Sequence, residues 1–178
     1  TTRKEIIQFY GENSGNQKAL LSLYGRGWQN TLDIKHGFWK DYSNLLYEGE
    51  IDHKLATLSD HRFCFAIENS TGVNGYISEK IFDCFVSGTV PIYYGPPNAS
   101  EFIPDKCYVD FRDFKSLYEL NDYVMNMSKD RYYSYTDAIH EYISDDMRKI
   151  FDQDVVAEKM VSSIYNRLSN SDGPLPVV

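Results

Sequence analysis

Phe63-Cys-Phe-Ala-Ile67 runs directly into Glu68-Asn-Ser-Thr-Gly-Val-Asn-Gly75, then into Tyr76-Ile-Ser-Glu-Lys-Ile-Phe-Asp-Cys-Phe-Val-Ser87, Gly88 and Thr89-Val-Pro-Ile-Tyr-Tyr94. The first block is a continuous apolar run, not an alternating one, which suits a parallel strand buried on both faces. The second is a polar, glycine-containing loop. In the third, Ile77, Ile81, Phe82 and Phe85 recur at helical spacing until Gly88, a C-terminal stop. The fourth returns as a strand, in which Pro91 removes a ladder donor and predicts an edge position or a bulge.

Outward from this unit the alternation continues. Thr2-Arg-Lys-Glu5 matches a capping box before Ile6, Ile7, Phe9 and Tyr10, so a helix starts there. Leu20 to Tyr24 reads as a short buried strand, Asp52 to Ser59 as a short helix, and the segment between them up to about Tyr47 has no clear pattern. After the turn Gly95-Pro-Pro-Asn98, Cys107 to Phe111 reads as a strand and Phe114, Leu117, Tyr118, Val124 and Met127 as a helix. Helices over Asp130 to Tyr142 and Gln153 to Leu168 follow. Strand and helix in alternation predict an α/β domain with a doubly wound parallel sheet and a ligand crevice beyond the carboxyl ends of its strands. The domain is placed at 1–170, with 171–178 as a flexible tail.

The 178 residues suffice for one core that buries roughly 70% of the unfolded surface. Hydrophobic residues make up 42% and charged residues 25%, which excludes a disordered chain. No apolar run reaches the roughly 18 residues of a membrane span. A net charge of −8 is the wrong sign for gripping a long nucleic acid. A small phosphorylated ligand stays allowed, since a few placed cations and a helix N-terminus hold it whatever the overall charge. Cys64, Cys84 and Cys107 lack metal or redox spacing and read as reduced core residues. The four histidines, at 36, 53, 61 and 140, show no ligand spacing. Asp152-Gln-Asp154 has the letters of a metal-holding Asp-x-Asp, but its place before Val155, Val156, Met160, Ile164 and Leu168 reads as a helix cap.

The loop from Glu68 to Gly75 leaves a strand and opens a helix, the position of the ligand crevice. Lys80 falls in the first turn of that helix and Arg3 at the start of the first one, where a cation opposes the helix dipole by a few tenths of a kcal/mol to about 1. One bound pyrophosphate would account for both. Taken singly, both cations also fit an incidental surface position. Glu79 could equally complement the dipole, Asn69, Ser70 and Asn74 make turn hydrogen bonds, and Tyr76 pack in the core.

Phe63-Cys-Phe-Ala-Ile-Glu-Asn-Ser70, Gly75-Tyr-Ile-Ser-Glu-Lys-Ile-Phe-Asp83, Gly88-Thr-Val-Pro-Ile-Tyr-Tyr-Gly95, Phe102-Ile-Pro104 and Phe111-Arg-Asp-Phe114 together resemble, in order, glycosyltransferase family 10, the α-1,3/1,4-fucosyltransferases. Tyr24-Gly-Arg-Gly-Trp28 and Arg3 at a helix start match more loosely. The resemblance implies the Rossmann-like C-terminal half of a GT-B type enzyme, which binds GDP-fucose, and an N-terminal acceptor domain outside this chain. It implies Arg3 and Lys80 at the pyrophosphate, Glu79 and Asn69 at fucose or ribose hydroxyls, and Ser70 and Tyr76 at the donor. Glu79 and Lys80 are the catalytic candidates. It also implies an inverting transfer to a glycan acceptor, without metal or other cofactor. A non-catalytic nucleotide-sugar module and a transferase using another GDP-sugar are the alternatives. The reduced cysteines and the lack of a Cys-rich tail point to a bacterial or viral cytoplasmic enzyme, or to the Golgi lumen for a eukaryotic one anchored by a segment outside this chain.

Overall fold

The computed structural model of this chain describes residues 2–13, 21–26, 46–145 and 153–169. Helix α1 (Thr2–Glu12) precedes strands β1 (Leu23–Tyr24) and β2 (Tyr47–Gly49), which pair in parallel. Helix α2 (Lys54–Ser59), strand β3 (Phe63–Ile67), helix α3 (Glu79–Ser87), strand β4 (Val90–Tyr94) and strand β5 (Val109–Asp110) follow. Helices α4 (Leu117–Met125), α5 (Lys129–Asp145) and α6 (Gln153–Ser169) come last among the described residues. The strands β3, β4 and β5 form a parallel three-stranded sheet in that order.

Pro91 does not mark an edge: β4 is the middle strand, and Pro91 is in register with Cys64. The Val90 N–H donates to the Arg62 carbonyl and the Tyr94 carbonyl accepts from the Glu68 N–H. Residues 90, 92 and 94 therefore address β3, while 91 and 93 address the opposite side. There β5 pairs only with Ile92 and Tyr93. The proline nitrogen faces a place before β5 begins, and no ladder bond is lost.

Two further boundaries shift. The strand expected over Cys107 to Phe111 shrinks to β5, because Asp105–Cys107 and Phe111–Asp113 on either side are 3-10 turns. The side chain of Asp110 accepts from the Arg112 N–H and so caps the second turn. Thr2 is itself helical, inside α1 and not ahead of it. Gly88 ends α3 as expected, in the left-handed conformation at φ 75°, where a side chain would be strained. In β3 only Ala66 and Ile67 are buried, while Phe63, Cys64 and Phe65 are partly exposed, so burial on both faces holds for its carboxyl end alone.

Successive strand residues point to opposite faces. Ala66 packs with Ile81, Phe85, Val90, Ile92 and Ile139, whereas Ile67 packs with Ile6, Ile7, Phe9, Tyr10 and Leu46. The sheet is thus covered by α3 and α5 in one cluster and by α1 in the other. The three cysteines are free thiols, with Cys84 and Cys107 buried and Cys64 partly so. Asp154 lies in the first turn of α6, while Asp152 and the expected tail at 171–178 fall outside the described residues. The apolar periodicity of α6 does not lead to burial: Met160, Val161, Ile164 and Tyr165 are all exposed. Among the described residues no helix is long and apolar enough to cross a membrane.

Two consequences can be measured. Burial pushes the Tyr10 phenol up from 10.0 to about 12, and burial with the neighbouring Tyr123 hydroxyl takes Tyr135 to about 12 as well. Between those pH values the unfolded chain loses the protons first, so stability present below pH 10 is lost as the pH rises through 12. We expect the tyrosinate absorbance of the buried rings to appear only with the loss of circular dichroism in that window, and Tyr10→Phe to move the midpoint to higher pH. Tyrosinate formed near pH 10 in a folded chain by every tyrosine would contradict this packing. At Gly95, an added Cβ would overlap the fully buried Tyr93 ring. Gly95→Ala is expected to destabilise by about 1–3 kcal/mol, at roughly 2–4 °C of Tm per kcal/mol, read by thermal denaturation.

Candidate functional site

The carboxyl end of β3 is where the two outlying cations meet the sheet. From α1, the Arg3 guanidinium donates through Nη2 to the Ile67 carbonyl at 2.6 Å and to Asn69 Oδ1 at 2.8 Å. The residue between, Glu68, turns inward, and its side chain is 0% exposed. An isolated buried carboxylate is costly, so its partners define the local structure. Oε1 accepts from the Ser78 N–H at 2.8 Å and from the Tyr93 hydroxyl at 3.4 Å. Oε2 accepts from Ser78 Oγ at 2.7 Å and from Lys80 Nζ at 3.1 Å.

Ser78 is the residue before α3, a position where a serine side chain ordinarily accepts from the helix's first free amides. It makes no such cap. Its hydroxyl instead donates to Glu68 and accepts from Lys80 Nζ at 2.8 Å. The free amides of the first turn of α3 thus stay uncapped by this side chain, beside an ammonium whose side chain is 23% exposed. Both features favour an anion.

Glu79 lies 4.0 Å from Lys80 Nζ and its side chain is 70% exposed. Its carboxyl is held below the usual range by its own backbone amide and then by Lys80. The loop between Asn69 and Ser78 is tied down by the Gly75 N–H donating to Asn98 Oδ1 at 2.8 Å, with Asn98 Nδ2 in turn donating to Glu101. Tyr76 is 39% exposed, so it lies at the surface, and Ser70 is partly exposed.

Of the residues singled out in the sequence, Arg3, Asn69, Glu79 and Lys80 therefore cluster around one strand end, and Ser70 and Tyr76 lie on the loop that joins them. The cations need no bound anion to explain their placement, because Glu68 faces Lys80 and the Ile67 carbonyl faces Arg3. Sequence reading missed Glu68, Ser78 and Tyr93. The available signal was a carboxylate directly after a buried strand, but only the fold shows that it points inward.

Two other features lie nearby. At the carboxyl ends of β4 and β5, Arg112 holds Asp110 through Nε at 2.9 Å and Nη2 at 2.7 Å and reaches the Pro96 carbonyl at 3.2 Å, while Tyr94 stacks on Phe111 with centroids 5.2 Å apart. A largely apolar cavity of about 640 Å³ runs along β3 beneath α1. Arg3 lines it, but Asn69, Ser70, Tyr76, Glu79 and Lys80 do not, so it is not the site where the polar groups converge. Among the described residues no group of three or more His, Cys, Asp or Glu could hold a metal ion.

Comparison with known proteins gives a consistent result. An α-(1,4)-fucosyltransferase of Arabidopsis thaliana is 40% identical over 79 residues, covering 44% of this chain and 20% of that protein. The α-(1,3)-fucosyltransferase FucT of Helicobacter pylori is 34% identical over 91 residues, covering 51% and 19%. A crystal structure of an α1,3-fucosyltransferase with GDP superposes with a TM-score of 0.54 at 22% identity, over 98% of this chain and 56% of that one. The fold is accordingly the Rossmann-like C-terminal half of a GT-B type transferase, and this chain spans only part of the length of its relatives. Residues 16–169 match the model of glycosyltransferase family 10 (fucosyltransferase), C-terminal domain, and the chain belongs to that family.

Proposed function

We propose that this chain is the donor-binding half of a fucosyltransferase, holding GDP-fucose at the carboxyl end of β3 for transfer to a glycan hydroxyl. The observation that supports this most is the convergence of Arg3 and Lys80 on the consecutive residues Ile67, Glu68 and Asn69. In this reading both cations face the pyrophosphate. Glu79 and Asn69 bind hydroxyls of the fucose or ribose, and Ser70 and Tyr76 line the donor. The related proteins are named fucosyltransferases, and one was crystallised with GDP.

The reaction is an inverting displacement. An acceptor oxygen bonds to the anomeric carbon of GDP-β-L-fucose, the bond from that carbon to the phosphate oxygen breaks, and GDP departs with the electron pair. Negative charge grows on the departing phosphate, so fixed cations and helix amides stabilise the transition state more than the ground state. Lys80 is the catalytic residue at that phosphate. Glu79 is the second, at the sugar, where its exposed carboxylate can accept from a hydroxyl. The acceptor proton passes to a general base, which we place in an acceptor domain outside these residues. In this scheme Arg3 and Lys80 supply the positive charge at the phosphate, and the transfer proceeds without a metal.

Calorimetric titration with GDP and GDP-fucose, with and without Mg²⁺, tests the reading. Binding in the micromolar range, about −8 kcal/mol, is expected without metal and is expected to weaken about a hundredfold in Lys80→Ala. Affinity unchanged by that substitution overturns the phosphate site, and a strict need for Mg²⁺ overturns the metal-free scheme. GDP-mannose and UDP-galactose as competitors separate a fucose site from one that takes another sugar nucleotide. Efficient fucosyl transfer by this chain alone would overturn the placement of the base elsewhere.

A further inference from the structure

The cluster beneath Lys80 has a property the donor-binding reading does not require. If the ammonium served only as a surface charge for phosphate, a carboxylate beside it would be a disadvantage, since it repels the incoming anion. Yet Glu68 is wholly buried, approaches Lys80 Nζ at 3.1 Å and shares Ser78 Oγ with it. Lys80 Nζ thus has two fixed acceptors, Glu68 Oε2 and Ser78 Oγ, within an ammonium's three donors. One donor is left, and the side chain is still 23% exposed.

The carboxylate is itself held on every side. The Ser78 amide and the Tyr93 hydroxyl engage Oε1, and Tyr93, on the neighbouring strand β4, is 0% exposed. The Glu68 backbone N–H donates to the Tyr94 carbonyl at 3.0 Å, extending the β3–β4 ladder by one residue. A lysine side chain has four rotatable bonds and loses rotamer freedom when it is fixed. Here that ordering is completed before any ligand arrives.

We infer that Glu68 is a positioning residue for donor binding: it and Ser78 fix two of the three ammonium donors of Lys80 and aim the third at the phosphate. This rests on the proposed function above. Positioning and plain electrostatics predict opposite signs. Loss of the negative charge alone should tighten a diphosphate, whereas loss of the anchor should loosen it.

The test is titration of the protein with GDP and with guanosine, which lacks phosphate, for Glu68→Gln, Lys80→Ala and the double variant. Glu68→Gln keeps one acceptor for the Ser78 amide but presents Lys80 with an N–H in place of an anion. GDP is expected to bind about tenfold more weakly, guanosine unchanged, and Glu68→Gln to add nothing in the Lys80→Ala background. Tighter or unaltered GDP binding by Glu68→Gln overturns the inference. Equal loss for guanosine shows a merely structural role and overturns it too, as do additive losses in the double variant. If Lys80→Ala itself leaves GDP affinity unchanged, the donor-site reading has failed, independently of Glu68. Should Glu68→Gln not fold by circular dichroism, Ser78→Ala carries the test: it removes only the shared hydroxyl and is expected to weaken GDP about threefold with guanosine unchanged, and an unchanged GDP affinity overturns the inference.

Discussion

A carboxylate with no solvent exposure stands at the point where β3, β4 and α3 come together, and the geometry of the region follows from satisfying it. A charged group taken out of water needs both a counter-charge and hydrogen bonds to its remaining lone pairs. Glu68 obtains them from Ser78, Lys80 and Tyr93, residues 10, 12 and 25 positions away. Those bonds close the loop at its two ends, so the chain must leave β3 and enter α3 at fixed places. The segment between is further restrained by Gly75 on Asn98. A loop closed in this way can carry exposed side chains such as Tyr76 while its ends stay rigid, which is how a scaffold combines a defined site with an accessible surface.

The same bonds connect the site to the core. Tyr93 lies edge-on to Tyr108 with centroids 5.5 Å apart and is shielded by the backbone of Gly95. Its phenol is pushed far up by burial and then by the Glu68 charge, so it remains a donor to that carboxylate across the working pH range. On the other side, Arg3 joins α1 to the β3 turn through the strand-end carbonyl of Ile67. The strand end is thus approached from α1, α3 and β4 at once.

Much of this architecture was legible in the sequence. Phe63 to Ile67 reads as a strand, although only its carboxyl end is buried, the polar run to Gly75 cannot continue it, and Gly88 closes the helix because glycine takes the left-handed turn there without strain. Pro91 misled because a proline is excluded only from positions whose amide faces a neighbour, and the length of β5 decides that. The cations Arg3 and Lys80 stood out as exceptions to the helix dipole, but their partners did not, since sequence spacing of 12 or 64 residues gives no sign of contact. Ser78 gave no signal of its own: it stands where a helix cap would, and its diversion to Glu68 depends on which way a carboxylate ten residues earlier points. The apolar stripe on α6 was visible and yet is exposed in this structure, because periodicity reports that a face is apolar and not what covers it.

The charges of the cluster explain how one site can be both stable and receptive. Arg3 and Lys80 are opposed in sign and equalled in number by Glu68 and Glu79, so these four side chains carry no net formal charge before a ligand binds. The positions are not symmetric, however. Glu68 lies beneath the surface with its lone pairs already used, whereas Lys80 is partly open and next to the first turn of α3, which the Ser78 side chain does not cap. In the proposed donor site an arriving phosphate would meet the cation and the helix dipole first, and the carboxylate behind them at longer range. Because the attraction falls with distance and the dipole acts only within the first turn, the near groups outweigh the buried one. On the proposed donor-site reading, orientation would let an assembly without net formal charge take an anion without rearranging.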